Sequence, residues 1–227
     1  MPHRQLPFAF EHRTSFAGED FLIAGPNHDA VRWLDRWPDW PSPALVIHGP
    51  AGCGKTHLAH VFLERCRGLI IDDDALRHDR TLDLAVAAAG CIVDDADRLV
   101  GAGLETPLLH LYNVLAEHGR HLLLTAATPS ARWSMRLSDL RSRLNAAPSV
   151  GIGQPDDDLI AGLLTKLFAD RQLAIDDEVI SYLLPRIQRS FAAARRLTAD
   201  LDAAALSHRR KITVALAREV LKAAGDN

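Results

Sequence analysis

Residues 49–56 read Gly49-Pro50-Ala51-Gly52-Cys53-Gly54-Lys55-Thr56, a complete G-x-x-x-x-G-K-[ST] pattern. An apolar run, Ala44-Leu45-Val46-Ile47, precedes it, and a helix-like stretch, Thr56–Arg67, follows. Strand, glycine-rich turn and helix form the context in which this pattern closes around a phosphate. Its glycines let backbone N–H groups converge on the anion. The helix N-terminus behind them carries partial positive charge. In that geometry Lys55 reaches the β- and γ-phosphates and Thr56 offers a hydroxyl to Mg²⁺.

A second apolar run, Cys91-Ile92-Val93, ends in Asp94-Asp95. In ATPases with such a loop, an acid at the end of a buried strand holds Mg²⁺ and its neighbour orients the attacking water. Asp94 suits the first role and Asp95 the second. Ile70-Ile71-Asp72-Asp73-Asp74 also ends in acids and reads as a neighbouring strand and loop, with the metal-holding role there as the lesser alternative.

Short apolar runs alternate with helical stretches along the first two thirds of the chain. The runs are 44–48, 69–72, 91–94, 121–125 and 149–153. Between them lie helical stretches at 56–67, 82–89 and 106–118, then a broken one at 130–145, and a further helix is expected over 29–36. This alternation predicts an α/β fold, a mainly parallel sheet with helices on both faces. The pattern changes at Gln154-Pro155. Asp156-Asp157-Asp158 opens a helix whose apolar residues recur at helical spacing through Phe168. Further helices are expected over 177–186, 190–207 and 213–224. The expected organisation is a tail over 1–12, a phosphate-loop unit over 13–154 and a small all-α unit over 155–227.

Bulk properties exclude several classes. The 227 residues have a net charge of −3, and the longest basic run, Arg209-Arg210-Lys211, reads as a solvated helix end, so strong direct DNA binding is not expected. No apolar run approaches the ~20 residues of a membrane span, and the first ten residues lack a signal-peptide pattern. Cys53, Cys66 and Cys91 lack metal-ligand spacing and suit a reducing cytoplasm. His57 and His60 lie three apart on one helix with no third ligand evident, and Trp33 and Trp37, four apart, read as core packing on one helical face.

A parallel sheet carrying a phosphate loop and followed by a helical lid resembles an AAA+ nucleotide-binding module, and the detailed match is to the DnaA family. Gly54-Lys55-Thr56-His57-Leu58-Ala59-His60 resembles that family's loop-to-helix run, and Asp94-Asp95 its paired acids. Leu109-His110-Leu111-Tyr112-Asn113 resembles its following helix. Ser142-Arg143-Leu144 resembles its arginine-finger motif, and Lys211-Ile212-Thr213-Val214 with Arg218-Glu219 its closing segment. The chain ends just past the lid, an architecture that resembles the Hda group, regulators that promote hydrolysis of DnaA-bound ATP.

The resemblance implies the following roles. Residues 49–56 bind the phosphates of ADP or ATP, and Thr56 and Asp94 hold Mg²⁺. Phe21 and Leu22 begin a segment beside the base. Gln5, Leu6, Phe8 and Phe10 resemble the peptide with which Hda proteins dock on the DNA polymerase sliding clamp, an extended segment laying apolar side chains in a groove. Arg143 acts in trans on ATP held by DnaA, as arginine fingers do; the alternative is a surface pair with Asp139, four residues earlier. Where relatives place a sensor acid this chain has Ala127, with Thr125 and Thr128 nearby. Where the lid supplies a sensor arginine it has Ala192, with Arg195 one turn on. Both departures point to weak or no intrinsic ATPase. Two other readings stay open, a self-sufficient ATPase acting as helicase loader or partner-remodelling factor, and an adaptor that stimulates nothing. Because AAA+ modules bind nucleotide between neighbours, a homodimer or higher oligomer also stays open.

Overall fold

The computed structural model describes residues 22–78, 80–208 and 210–225. The expected clamp peptide, Gln5 to Phe10, and Phe21 lie outside the described residues. Two compact units are present, one ending at Gly153 and the other beginning at Gln154.

The first unit contains α1 (His28–Asp35), β1 (Ala44–His48), α2 (Lys55–Cys66), β2 (Leu69–Ile70), α3 (Asp73–Leu76), α4 (Arg80–Ala87), β3 (Gly90–Val93), α5 (Ala96–Gly101), α6 (Glu105–Glu117), β4 (His121–Ala126), α7 (Ser138–Ala146) and β5 (Ser149–Gly151). Among the described residues the five strands are all parallel, in the order β2-β3-β4-β1-β5. Sequence alternation sorts the two faces. Leu45, Ile47, Ile92 and Leu123 pack with Ala30, Val31, Leu34, Leu58 and Phe62 from α1 and α2. Val46, Val93, Leu122 and Leu124 pack with Leu99, Leu108, Leu111, Leu140 and Leu144 from α5, α6 and α7. Central strands buried on both faces read as continuous apolar runs, which is why they were legible.

Local differences from expectation have identifiable causes. Two short helices follow acidic clusters that read as strand ends or loops. Asp72 accepts the Ala75 amide at 2.7 Å and starts α3. Asp95 takes a left-handed conformation, φ 50°, and opens α5. Trp37 lies beyond the end of α1, so it and Trp33 do not share a helical face. Its ring instead packs edge-on against Phe62 and His121, beside Trp40, which stacks on Phe62.

The second unit contains α8 (Asp157–Asp170), α9 (Asp177–Leu183), α10 (Phe191–His208) and α11 (Val214–Gly225). Asp156 caps α8 by accepting the Leu159 amide at 2.8 Å, and the acids that follow suit the positive helix end. Leu159, Ile160, Leu163, Leu164 and Phe168 form its buried stripe, and Leu197, Leu201, Leu216 and Ala217 are buried on α10 and α11. Arg189 forks onto Asp157 at 2.8 and 3.0 Å. Among the described residues, no helix is long and apolar enough to cross a membrane.

Candidate nucleotide site

The loop after β1 has the backbone that its sequence demands. Gly52 and Gly54 adopt φ of 75° and 101°, a region open to glycine at no steric cost. Gly49 is fixed for another reason, since a Cβ there would stand 2.3 Å from the Ile152 carbonyl oxygen. Lys55 opens α2 and is 8% exposed. Its ammonium donates to the carbonyls of Gly49 at 2.9 Å and Pro50 at 3.1 Å, so the loop curls around its own lysine. Ala51 is exposed. Cys53 is buried, and burial pushes its thiol pKa up, so it packs the loop as a neutral thiol.

The acids after β3 meet this loop. Thr56 donates its hydroxyl to Asp94 Oδ2 at 2.9 Å. Thr125, in β4 and wholly buried, donates to Asp94 Oδ1 and accepts the Asp95 amide at 3.0 Å. The parallel register, Val93 beside Leu124, brings Thr125 next to the acid pair. The Asp95 side chain is exposed. Ala127 stands where a sensor acid was expected, and its amide donates to Asp97 Oδ2 at 2.9 Å. Thr125 and Asp97 therefore tie the end of β4 to the acidic turn. Their participation depends on strand register, which spacing along one chain does not carry.

A cleft of about 660 Å³ opens beside the loop, lined by His48, Gly49, Pro50, Thr128, Arg132 and Gly151 among others. Burial, then the nearby Arg132 and Lys55 charges, hold the His48 pKa below its ordinary value. A smaller opening of about 80 Å³ lies between Thr56, His60, Ile70 and Asp94. The donor set fits a nucleoside polyphosphate with a hard cation. An ammonium, left-handed glycines and a helix N-terminus suit phosphate, while a hydroxyl and a carboxylate 2.9 Å apart suit Mg²⁺. Leu22, within the segment expected beside the base, is buried, and the Asn27 side chain donates to its carbonyl at 2.9 Å.

Arg143 belongs to a separate surface. Its helix, α7, is held at both ends. The buried Glu105 carboxylate accepts the Leu137 amide at 2.7 Å and the Arg136 amide at 2.9 Å, and Ser130 donates to the Leu144 carbonyl at 3.1 Å. Leu140 and Leu144 are buried, leaving Arg141, Ser142 and Arg143 exposed. The Arg143 guanidinium lies 5.6 Å from the centroid of the Tyr112 ring. Among the described residues it forms no ion pair, so the alternative partner, Asp139, is not engaged. Glu105 was not singled out from the sequence; an acid at a helix start reads there as an ordinary dipole partner. In the second unit, Arg195 and Ala192 are both exposed on α10.

Comparison with known proteins agrees with this geometry. Residues 156–221 match the family described as "Hda, lid domain". An uncharacterized protein of Haemophilus influenzae is 26% identical over 96% of this chain and 99% of its own length. The chromosomal replication initiator protein DnaA of Clavibacter sepedonicus is 21% identical over 90% of this chain and 48% of its own length. The chain thus spans about half the length of the DnaA relatives it matches. Domain III of the Thermotoga maritima replication initiation protein DnaA superposes with a TM-score of 0.77 at 17% identity, covering 94% of this chain and 97% of that one. AMPPCP-bound DnaA from Aquifex aeolicus gives 0.68 at 16% identity, covering 80% and 63%. With a five-stranded parallel sheet, a phosphate loop and a helical unit that matches the Hda lid over residues 156–221, the chain is similar to DnaA-related AAA+ proteins and is Hda-like in its lid.

Proposed function

We propose that this protein is a nucleotide-binding regulator of replication initiation, which docks on the sliding clamp through Gln5, Leu6, Phe8 and Phe10 and stimulates hydrolysis of DnaA-bound ATP through Arg143. The observation that carries the reading is the presentation of Arg143. Its guanidinium is exposed and without an ion pair among the described residues, on a helix anchored by Glu105 and Ser130. Rigid presentation suits a group that must meet charge on a partner's phosphate without reorganising.

In this reading the chain's own site holds ADP or ATP with Mg²⁺. Lys55 and the loop amides grip the phosphates. Thr56 and Asp94 hold the metal, which neutralises phosphate charge when bound. Phe21 and Leu22 flank the base, and Arg195 is the lid's candidate phosphate contact. Thr125 fixes Asp94 from behind, and Ala127 contributes no acid, which favours a held nucleotide over rapid turnover. The protein works in the cytoplasm, with DnaA as its partner and with further copies of itself as candidate neighbours across the nucleotide.

A second reading, a self-sufficient ATPase that loads a helicase or remodels a partner, is favoured by the assembled Thr56–Asp94–Thr125 chain beside an exposed Asp95. Hydrolysis of DnaA-bound ATP, measured with this protein and DNA-loaded clamp and omitting each in turn, separates the two. Stimulation that needs the clamp and fails with Gln5→Ala and with Arg143→Ala is expected. Rapid hydrolysis by the purified protein alone, with no effect on DnaA, would favour the second reading.

A further inference from the structure

Among the described residues the sheet ends on β5, and half of that strand's backbone has no strand beside it. Val46 donates to the Pro148 carbonyl at 2.9 Å, and Ile152 donates to the His48 carbonyl at 2.7 Å. With Val46 opposite Ser149 and His48 opposite Gly151, the N–H and C=O groups of Ser149 and Gly151 point away from β1. Gly153 is next in this outward series, and its amide donates to the Pro26 carbonyl at 3.0 Å. The edge is thus closed at Gly153. At Ser149 and Gly151, both exposed, it is open among the described residues.

Helix α1 starts beside that closed end and runs along the strand. A groove of about 490 Å³ lies between them, lined by Asp29, Arg32, Trp33, Arg36 and β5. The Arg36 guanidinium lies 4.7 Å over the Trp33 ring. Among the described residues neither Arg32 nor Arg36 forms an ion pair. Asp29, near the start of the helix, is paired with His28 at 3.4 Å. Among the described residues, the groove therefore joins open strand hydrogen-bonding groups to two cations without an ion pair.

We propose that this groove docks an extended acidic peptide of a partner protein. The peptide adds to the open edge of β5 as a sixth strand and sets a carboxylate against Arg32 and Arg36. Backbone pairing with Ser149 and Gly151 supplies affinity for any extended chain. The guanidiniums select an acid, because carboxylate and guanidinium match in charge and geometry. Asp29 repels an acid at the opposite end, which fixes the peptide's direction. A nucleic-acid strand would use the arginines and leave the backbone groups of β5 unpaired, so the peptide accounts for more of the groove. The inference is independent of the function proposed above.

The test uses the full chain, ¹⁵N-labelled, titrated with the synthetic peptide acetyl-Val-Asp-Val-Glu-Val-amide. The Ser149 and Gly151 amides and the Trp33 indole are expected to shift together. Paired Arg32→Glu and Arg36→Glu substitutions should weaken binding about tenfold or more. Ser149→Pro, which removes an outward N–H and no charge, should weaken it severalfold. The same peptide with alternate amides N-methylated should fail on the unaltered protein, whatever the variants do to folding. Absent shifts at Ser149 and Gly151, or equal binding of the N-methylated peptide, would overturn the proposal. Arginine-dependent binding of the oligonucleotide (dT)₁₀ without peptide binding would also overturn it.

Discussion

The hydroxyl of Thr125 donates to the carboxylate of Asp94 from inside the sheet, and the same oxygen accepts the amide of Asp95. One buried side chain therefore fixes both the acid and the turn that bears its neighbour. Replacing it with valine keeps the shape, removes the donor and leaves the part-buried Asp95 N–H without its acceptor. Thr125→Val should destabilise the protein by about 1–3 kcal/mol. It should also weaken Mg²⁺-dependent nucleotide binding more than Mg²⁺-free binding, because Asp94 loses its orientation. Denaturant unfolding and titrations of ADP with and without Mg²⁺ give the comparison. Equal loss in both titrations would place Thr125 in the fold alone.

Lys55 is held by the carbonyls of Gly49 and Pro50, both in the loop itself. Lys55→Ala removes a buried cation whose partners are both loop carbonyls. A loss of ADP affinity of about 10²-fold or more is expected, by analogy with other charge-assisted phosphate contacts. Lys55→Arg should not rescue it, since a planar fork cannot fill the turn around a compact ammonium. Calorimetric titration of the two variants checks both statements.

His48 reports on the same site through its charge. Burial and the flanking Arg132 and Lys55 depress its pKa and so favour the neutral imidazole. A bound polyphosphate adds negative charge close to those cations and weakens their repulsion of the imidazolium. The His48 pKa should therefore rise when ADP binds, and binding should tighten as pH falls through that range. Imidazole chemical shifts followed against pH, with and without ADP, would show it. An unchanged titration would mean that the phosphates lie away from the cleft beside His48.

Much of this molecule is legible in its sequence, and what is not has a common cause. The apolar runs around Leu45, Ile92 and Leu123 announce central strands because both faces of each are buried. Residues 49–56 announce their own geometry because left-handed backbone and close approach leave few alternatives to glycine. By contrast, the partnership of Thr125 with Asp94 follows from strand register, and that of Glu105 with Leu137 from packing between α6 and α7. Neither pair is close in sequence. Short helices such as α3 and α5 escape notice because four to six residues show no helical period. Spacing alone puts Trp37 on the helical face of Trp33, yet α1 ends at Asp35 and the indole turns back onto Phe62.

Glu105 is the side chain through which α6 holds the start of α7. Its carboxylate accepts the Leu137 and Arg136 amides, and these hydrogen bonds, Leu137 first, hold its pKa below the usual glutamate range. A depressed folded pKa means that the stabilisation is full above the unfolded pKa of about 4.3 and is lost as pH falls through the folded value. Glu105→Gln should lower the thermal midpoint at pH 7 by roughly 2–4 °C, and the deficit should shrink below about pH 4. A deficit independent of pH would assign the effect to packing.

The same anchor makes a prediction about Arg143. If Glu105 and Ser130 position α7 so that Arg143 meets a partner's phosphate, changes at the tip and at the anchor should separate. Arg143→Ala removes the guanidinium from an exposed site, so stability should hold within about 0.5 kcal/mol while stimulation of DnaA-bound ATP hydrolysis falls by a large factor, on the order of 10³ for arginine fingers. Arg143→Lys keeps the charge, loses the fork, and should recover little. Glu105→Gln keeps Arg143 but loosens its helix, so it should reduce stimulation partially and leave ADP affinity intact. Single-turnover hydrolysis on DnaA, run beside ADP titrations of each variant, reads all three. If Arg143→Ala lost ADP binding in parallel with stimulation, the arginine would serve this chain's own site, and the trans role would be wrong.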